Sequence, residues 1–344
     1  MLTNLRSGAA TSTKTSSTES PILVADDLRK SYEGRPALRG LTFALRPGGL
    51  LGFLGPNGAG KTTAIRILTT VIPPDSGYFT VDGISSDYPQ KIRRKIGVLP
   101  ESLGFPKNLT GLEFLTYFGR HYGQTAKEAK ANAQRLLEEV NLQHRANSLI
   151  RTYSRGMRQR LGIARSLIND PVLVFLDEPT LGLDPGGQQE LLSLIERIAR
   201  SRRAGVVLSS HHLAEIERIC DEVVILRSGQ VIASGSVSHV VGQGRRNVIR
   251  IHVPAPLAPR ARQMLEALPT VKSVAFSGAA TDWLEVEPVD SANGAAASGG
   301  HVNGHFANKL LEALIRADVP ILTFEAEGGR LHDAFLRLTQ EAAQ

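Results

Sequence analysis

The chain has 344 residues, 42% hydrophobic and 21% charged, with a net charge of +7. That content suits a globular protein with room for more than one domain, and no run of about 18 apolar residues is present to predict a membrane span. The single cysteine, Cys220, leaves no internal disulfide and fits a cytosolic location.

In chain order, residues 1–20 are rich in Ser and Thr, lack an apolar h-region and read as a disordered tail rather than a secretion signal. From Ile22 to Leu99 strands and turns alternate, with a hairpin-like edge over Ser76 to Gly83. Inside this stretch the apolar run Leu50 to Leu54 feeds Gly55-Pro56-Asn57-Gly58-Ala59-Gly60-Lys61-Thr62, and Thr63 opens a helical run to Leu68. Strand, Gly-rich loop and helix in that order form a phosphate-binding loop: the glycines let backbone N–H groups curl round phosphates and the helix directs its positive end at them. Gly55 to Thr63 are therefore the expected nucleotide-binding residues. Lys61 can reach the β and γ phosphates, and the Thr62 hydroxyl can ligate Mg2+.

Leu109 to Ile168 turns helical, and Ala126 to Val140 places Leu136, Leu137 and Val140 on one face with Lys and Glu opposite. Leu173 to Leu176 is an unbroken apolar run that ends in Asp177 and Glu178, as expected of a parallel strand buried on both faces. Carboxylates at a strand's carboxyl end lie where open α/β sheets bind ligands, so Asp177 is expected to face the metal held by Thr62, and Glu178 the γ phosphate. A further apolar strand, Gly205 to Leu208, leads into Ser209-Ser210-His211. After Gly235 the pattern changes. Strands over Asn247 to Val253, Val271 to Phe276, Trp283 to Val286 and Ile321 to Phe324 alternate with helices over Leu257 to Leu268 and around Phe306, Leu310 and Leu314. That is the β-α-β-β-α-β order of a ferredoxin-like unit. A loop over Ser291 to Gly304 interrupts it, and a last helix is expected from Leu331 to Thr339.

The segment Tyr153-Ser154-Arg155-Gly156-Met157-Arg158-Gln159-Arg160, ahead of the helical run Leu161 to Leu167, resembles the signature motif of ABC ATPases. The flanking segments agree in order. Lys30-Ser31-Tyr32 stands where the family's adenine-stacking aromatic does, and Gly97 to Glu101 occupies the Q-loop position. Glu178-Pro179-Thr180-Leu181-Gly182-Leu183-Asp184-Pro185 resembles the catalytic Glu running into the D-loop, and His211 the switch histidine. Glu101 replaces the usual Gln and Arg155 the first signature Gly. Both departures are similar to the exporter branch whose ATPase and permease are separate chains, with drug or antibiotic efflux and sodium extrusion among its members.

The resemblance implies a P-loop NTPase core of the ABC type with antiparallel β and α-helical subdomains, plus the small C-terminal α+β ferredoxin-like domain. The expected division is a tail at 1–20, a nucleotide-binding domain at 21–236 with its helical part near 102–168, and an accessory domain at 237–344. It implies ATP and Mg2+ as cofactors, with Glu178, His211 and Lys61 in catalysis. Tyr32, the phosphate loop, Ser154 and Gly156 would hold nucleotide, and Thr62, Glu101 and Asp177 the metal. The implied partners are a separate transmembrane permease and a second ATPase chain, either a copy or a paralogue, with the protein on the inner face of the cell membrane. The competing reading is a non-transport ABC ATPase acting on ribosome or nucleic acid. Six arginines between Val223 and Leu265 (Arg227, Arg245, Arg246, Arg250, Arg260, Arg262) are not interleaved with aromatics, which argues first for a solvated face, then for a patch facing the anionic inner leaflet, and for both ahead of nucleic-acid readout.

Overall fold

A computed structural model describes residues 20–102, 104–243, 248–276, 282–289, 304–327, 331 and 335. The chain begins with two long antiparallel strands, β1 (Leu23–Tyr32) and β2 (Arg35–Leu45), followed by β3 (Leu50–Leu54), α1 (Lys61–Leu68), the hairpin β4 (Ser76–Val81) and β5 (Ile84–Ser85), α2 (Pro89–Arg93) and β6 (Ile96–Leu99). The hairpin forms as expected, and β4 also pairs along β1, so a four-stranded antiparallel sheet runs β2-β1-β4-β5.

Three helices come next, α3 (Gly111–His121), α4 (Ala126–Glu139) and α5 (Arg155–Ser166). Then β7 (Leu173–Asp177), α6 (Pro185–Arg202), β8 (Gly205–Ser210), α7 (Leu213–Ile219), β9 (Glu222–Arg227), β10 (Gln230–Ser236) and α8 (Val237–Gln243) complete the first unit. The second sheet has six strands in the order β10-β9-β3-β8-β7-β6. All neighbours in it are parallel except the antiparallel pair β9 and β10. Every residue of β3, β7 and β8 is buried, which is why these strands read as unbroken apolar runs rather than alternating ones. Because β3, β8 and β7 are adjacent and parallel, their carboxyl ends deliver the phosphate loop, His211 and the Asp177-Glu178 pair to one edge.

The helices α3 and α4 each start with a full capping box, Thr110 with Glu113 and Thr125 with Glu128, which satisfies two otherwise orphaned backbone donors at each start. Leu136, Leu137 and Val140 are fully buried, as their spacing predicts. The end of α4 is tied to α6 by Arg202, whose Nε donates to Glu139 Oε1 at 2.8 Å and whose second nitrogen donates to Oε2 at 2.6 Å. That fork holds the Glu139 carboxyl below the usual carboxylate range. Since the folded-state pKa lies below the unfolded one, the pair stabilises the fold at neutral pH and loses this contribution as the pH falls through the folded value. Glu139→Gln is therefore expected to cost about 1–2 kcal/mol at pH 7, between an exposed and a buried pair. Urea midpoints of the two proteins should converge as acid protonates folded Glu139; a gap of the same size at neutral and at acid pH would refute the account.

After residue 247 the chain forms β11 (Val248–His252), α9 (Ala258–Glu266), β12 (Val271–Phe276), β13 (Trp283–Pro288), α10 (Gly304–Arg316) and β14 (Thr323–Glu327). The antiparallel sheet order β12-β13-β11-β14 is that of a ferredoxin-like unit, with its own core around Ile249, Ile251, Leu265, Leu284, Leu310 and Leu314. The last strand starts two residues later than the expected Ile321 to Phe324, because Leu322 is exposed and only its N–H reaches the sheet, donating to His252 O at 2.9 Å. The expected tail at 1–20, apart from Ser20, and the loop from Ser291, apart from Gly304, lie outside the described residues. Of the expected final helix only Leu331 and Phe335 are described. Both are helical and pack into the first unit's core, the same buried cluster that takes Val240 and Val241 of α8. The first unit thus draws part of its core from beyond Ser236.

Candidate nucleotide site

The phosphate loop is built for an anion. Gly60 stands at the N-cap of α1 with φ 109, and no side chain caps that helix, so its first N–H groups have no side-chain partner. A Cβ on Gly60 would lie 2.6 Å from the Ala37 carbonyl oxygen, so only glycine fits the turn. Lys61 is buried and its ammonium folds back into the loop, donating to Gly55 O at 2.6 Å and Pro56 O at 3.4 Å. Carbonyl dipoles satisfy a buried cation only partly, and uncapped amides beside it complete a cradle for phosphate. A cavity of about 320 Å3 opens over this loop, lined by Ala37, residues 56–63, Glu101, Glu178, Leu181 and His211.

The carboxylates meet the loop from β7. Asp177 and Glu178 are both buried, and Glu178 adopts left-handed backbone, φ 48, where the strand breaks into the following turn. A left-handed non-glycine residue costs about 1–2 kcal/mol and persists only where surrounding bonds fix it. Those bonds come from Ser209, which faces Asp177 in the β7–β8 register. The Ser209 hydroxyl donates to Asp177 Oδ1 at 2.6 Å and accepts from the Glu178 N–H at 2.9 Å. One buried hydroxyl so holds the Asp177 carboxylate and the backbone from which the Glu178 side chain springs. Glu178 Oε1 lies 3.5 Å from the Lys61 ammonium, and Oε2 lies 2.8 Å from His211 Nδ1. The sequence singles out Lys61, Glu178 and His211 separately, and the fold brings them into one chain of contacts.

The remaining expected residues divide. Glu101 follows β6 and lines the same cavity, and Asp177 lies buried next to Glu178 with its Oδ1 held by Ser209. Thr62, Glu101 and Asp177 are the residues that could hold a cation; their hydroxyl and carboxylate oxygens suit a hard one such as Mg2+. Tyr32 ends β1 and is 44% exposed, outside the cavity lining, with its ring available to stack on a base beyond the phosphates. Ser154 and Gly156 lie elsewhere, in a separate cavity of about 560 Å3 shared with Gly182, Leu183 and Asp184. Ser154 caps α5, its oxygen accepting from Met157 N at 3.2 Å, which leaves the hydroxyl proton free to donate outward. Arg155 does not enter the phosphate cavity of its own chain: its guanidinium covers Gly182, where an added Cβ would strike it. The residues the sequence reading missed are Ser209, Thr180 and Glu215, a buried hydroxyl and carboxylate network behind the loops. Two serines closing an otherwise apolar strand are the signal that was there to use.

A phosphate loop, a strand-end carboxylate pair and a histidine just past the neighbouring strand define a P-loop ATPase, and the separate signature cavity narrows the class. Residues 38–181 match the family model described as ABC transporter. The chain is 36% identical over 259 residues to a Nod factor export ATP-binding protein I of Ralstonia nicotianae (strain ATCC BAA-1114 / GMI1000), covering 72% of this chain and 80% of that one. It is 30% identical over 318 residues to the uncharacterized ABC transporter ATP-binding protein YxlF of Bacillus subtilis (strain 168), covering 92% and 99%. A solved ATP-binding subunit of an ABC transporter superposes with a TM-score of 0.58 at 33% identity, over 64% of this chain and 92% of that one. The chain belongs to the ABC transporter ATP-binding family and is an ATPase with the fold that the sequence predicts.

Proposed function

We propose that two such chains close head to tail around ATP and that this closure drives export through a separate membrane permease. The observation that carries the reading is the separation of two cavities on one chain: Lys61, Glu178 and His211 line one, Ser154 and Gly156 the other, and their linings share no residue. Each chain therefore offers half of two sites, and a partner's Ser154 hydroxyl and α5 N-terminus supply donors that the phosphate cavity lacks. In this reading Lys61 and the loop amides bind the β and γ phosphates, and Tyr32 stacks on adenine. Glu178 orients and deprotonates the attacking water, and His211 holds the γ phosphate. Thr62, Asp177 and Glu101 would hold Mg2+, which when bound neutralises phosphate charge.

Export follows from the Glu101 and Arg155 departures and from the relative named for Nod factor export. Among the described residues no helix is long and apolar enough to cross a membrane, so the work passes to another chain; the expected dock is near Glu101 to Leu109 and α3 to α5, on the membrane's inner face. The ferredoxin-like unit, with no cluster of metal-binding side chains among its described residues, supports the dimer or the coupling. Arg250 pairs with Glu285 and Arg262 with Glu266, which favours a solvated face over nucleic-acid contact.

Crosslinking in native membranes followed by isolation of the full chain is expected to recover a multi-span membrane protein. Reproducible recovery of ribosomal or nucleic-acid partners without one would replace transport with the non-transport reading.

A further inference from the structure

Behind the switch loop lies a buried carboxylate that phosphate binding and water activation do not use. Glu215 on α7 is 6% exposed. Its Oε2 accepts two hydroxyl protons, from Thr180 Oγ1 at 2.9 Å and from Ser210 Oγ at 2.7 Å. Its Oε1 is buried and takes no hydrogen bond.

The two donors belong to different loops. Thr180 stands two residues after Glu178 and opens the turn in which Leu181 N donates to Glu178 O and Leu183 N to Thr180 O. Ser210 immediately precedes His211, and its oxygen accepts from His212 N at 2.9 Å. One carboxylate oxygen therefore gathers the loop that begins at the general base and the loop that presents the histidine. Burying a carboxylate is costly, and an apolar side chain of similar size would fill the same space without that cost. The empty Oε1 adds a property that an apolar side chain lacks. When either loop shifts, its hydroxyl can pass to the second oxygen without losing its acceptor, so the two loops stay tied through the movement.

We propose that Glu215 is a positioning residue for ATP hydrolysis: it couples the turn Glu178 to Leu183 to the switch loop, so that Glu178 and His211 reach the γ phosphate together. The proposal rests on the reading of Glu178 and His211 given above. ATP affinity belongs to the phosphate loop, so the effect is expected in kcat rather than in KM.

Glu215→Ala is expected to lower kcat about ten-fold or more, the scale of even one lost hydrogen bond to a charged group, with the KM for ATP changed less than about two-fold. Glu215→Gln keeps an oxygen that accepts both hydroxyls and should restore most of kcat, whereas Glu215→Leu should not. In a cycle with Thr180→Val, the double variant should lose no more than the worse single one. In nucleotide-free protein, the amides of Leu181, Leu183 and His212 should exchange faster together in Glu215→Ala, while those of β7 and β8 keep their protection.

Wild-type kcat in Glu215→Ala, a change confined to KM, or losses that multiply in the cycle would each overturn the proposal. If Glu215→Ala fails to fold, Thr180→Val, Ser210→Ala and the pair of them run the same cycle in folded proteins. If Glu178→Gln turned over ATP normally, the reading of the site would fail instead, and the exchange measurement would still decide whether Glu215 couples the loops.

Discussion

Glu178→Gln is expected to lower ATP turnover by roughly 10²- to 10⁴-fold, the range for loss of a general base, while ATP still binds. Glutamine fills the same buried space, and the backbone contact that fixes this position, the Glu178 N–H to the Ser209 hydroxyl at 2.9 Å, does not involve the side chain. What changes is charge. An amide cannot take a proton from water, so the step that needs a base stops, while removal of a carboxylate from beside the phosphates lessens repulsion there. The Lys61 ammonium, 3.5 Å from Glu178 Oε1, then has no carboxylate competing with the phosphates for its charge. The variant should therefore hold ATP and accumulate a closed dimer, seen as an earlier peak in size-exclusion chromatography with ATP and Mg2+ than without. Near-normal turnover would remove Glu178 from the role of base, and loss of ATP binding in a folded variant would show that the carboxylate shapes the cradle itself.

The parts of this site that the sequence displays are those carried by local pattern. The phosphate loop is contiguous, and its strand and helix lie on either side of it. β7 and β8 are buried on both faces, so their apolar runs mark where they end and hence where Asp177, Glu178 and His211 emerge. What stays hidden depends on which strands become neighbours. Ser209 meets Asp177 only because β8 pairs with β7 in that register, across 32 residues of chain. Thr180 and Glu215, 35 residues apart, look like ordinary polar loop and helix residues until the fold buries both. The same holds for Leu331 and Phe335. Their helical spacing is visible, but nothing local shows that they return to the core of the nucleotide-binding unit rather than that of the unit they follow. The β-α-β-β-α-β order was legible because each element is short, periodic and bounded, while boundaries slipped by a few residues: β13 runs on to Pro288, and β14 spans Thr323–Glu327.

Lys61→Ala is expected to abolish most of the affinity for ATP without unfolding the protein. The ammonium is buried and its partners are the Gly55 and Pro56 carbonyls and the Glu178 carboxylate, so its positive charge serves a group that is added rather than the resting loop. Truncation to Ala removes a cation able to contact two phosphates and leaves Glu178 facing them without compensation. Charge-assisted hydrogen bonds are worth about 1.5–3 kcal/mol each, so the loss of one or two corresponds to a weakening on the order of 10²-fold. The helix N-terminus and the loop amides remain, and they should preserve weak binding. The effect should grade with the ligand: large for ATP, smaller for ADP, and slight for AMP, which has no phosphate at the Lys61 position. Titration of the three nucleotides against both proteins by calorimetry separates these cases. An equal loss for all three would point to collapse of the loop, and an ATP affinity within about three-fold of the parent would show that Lys61 does not face the β and γ phosphates.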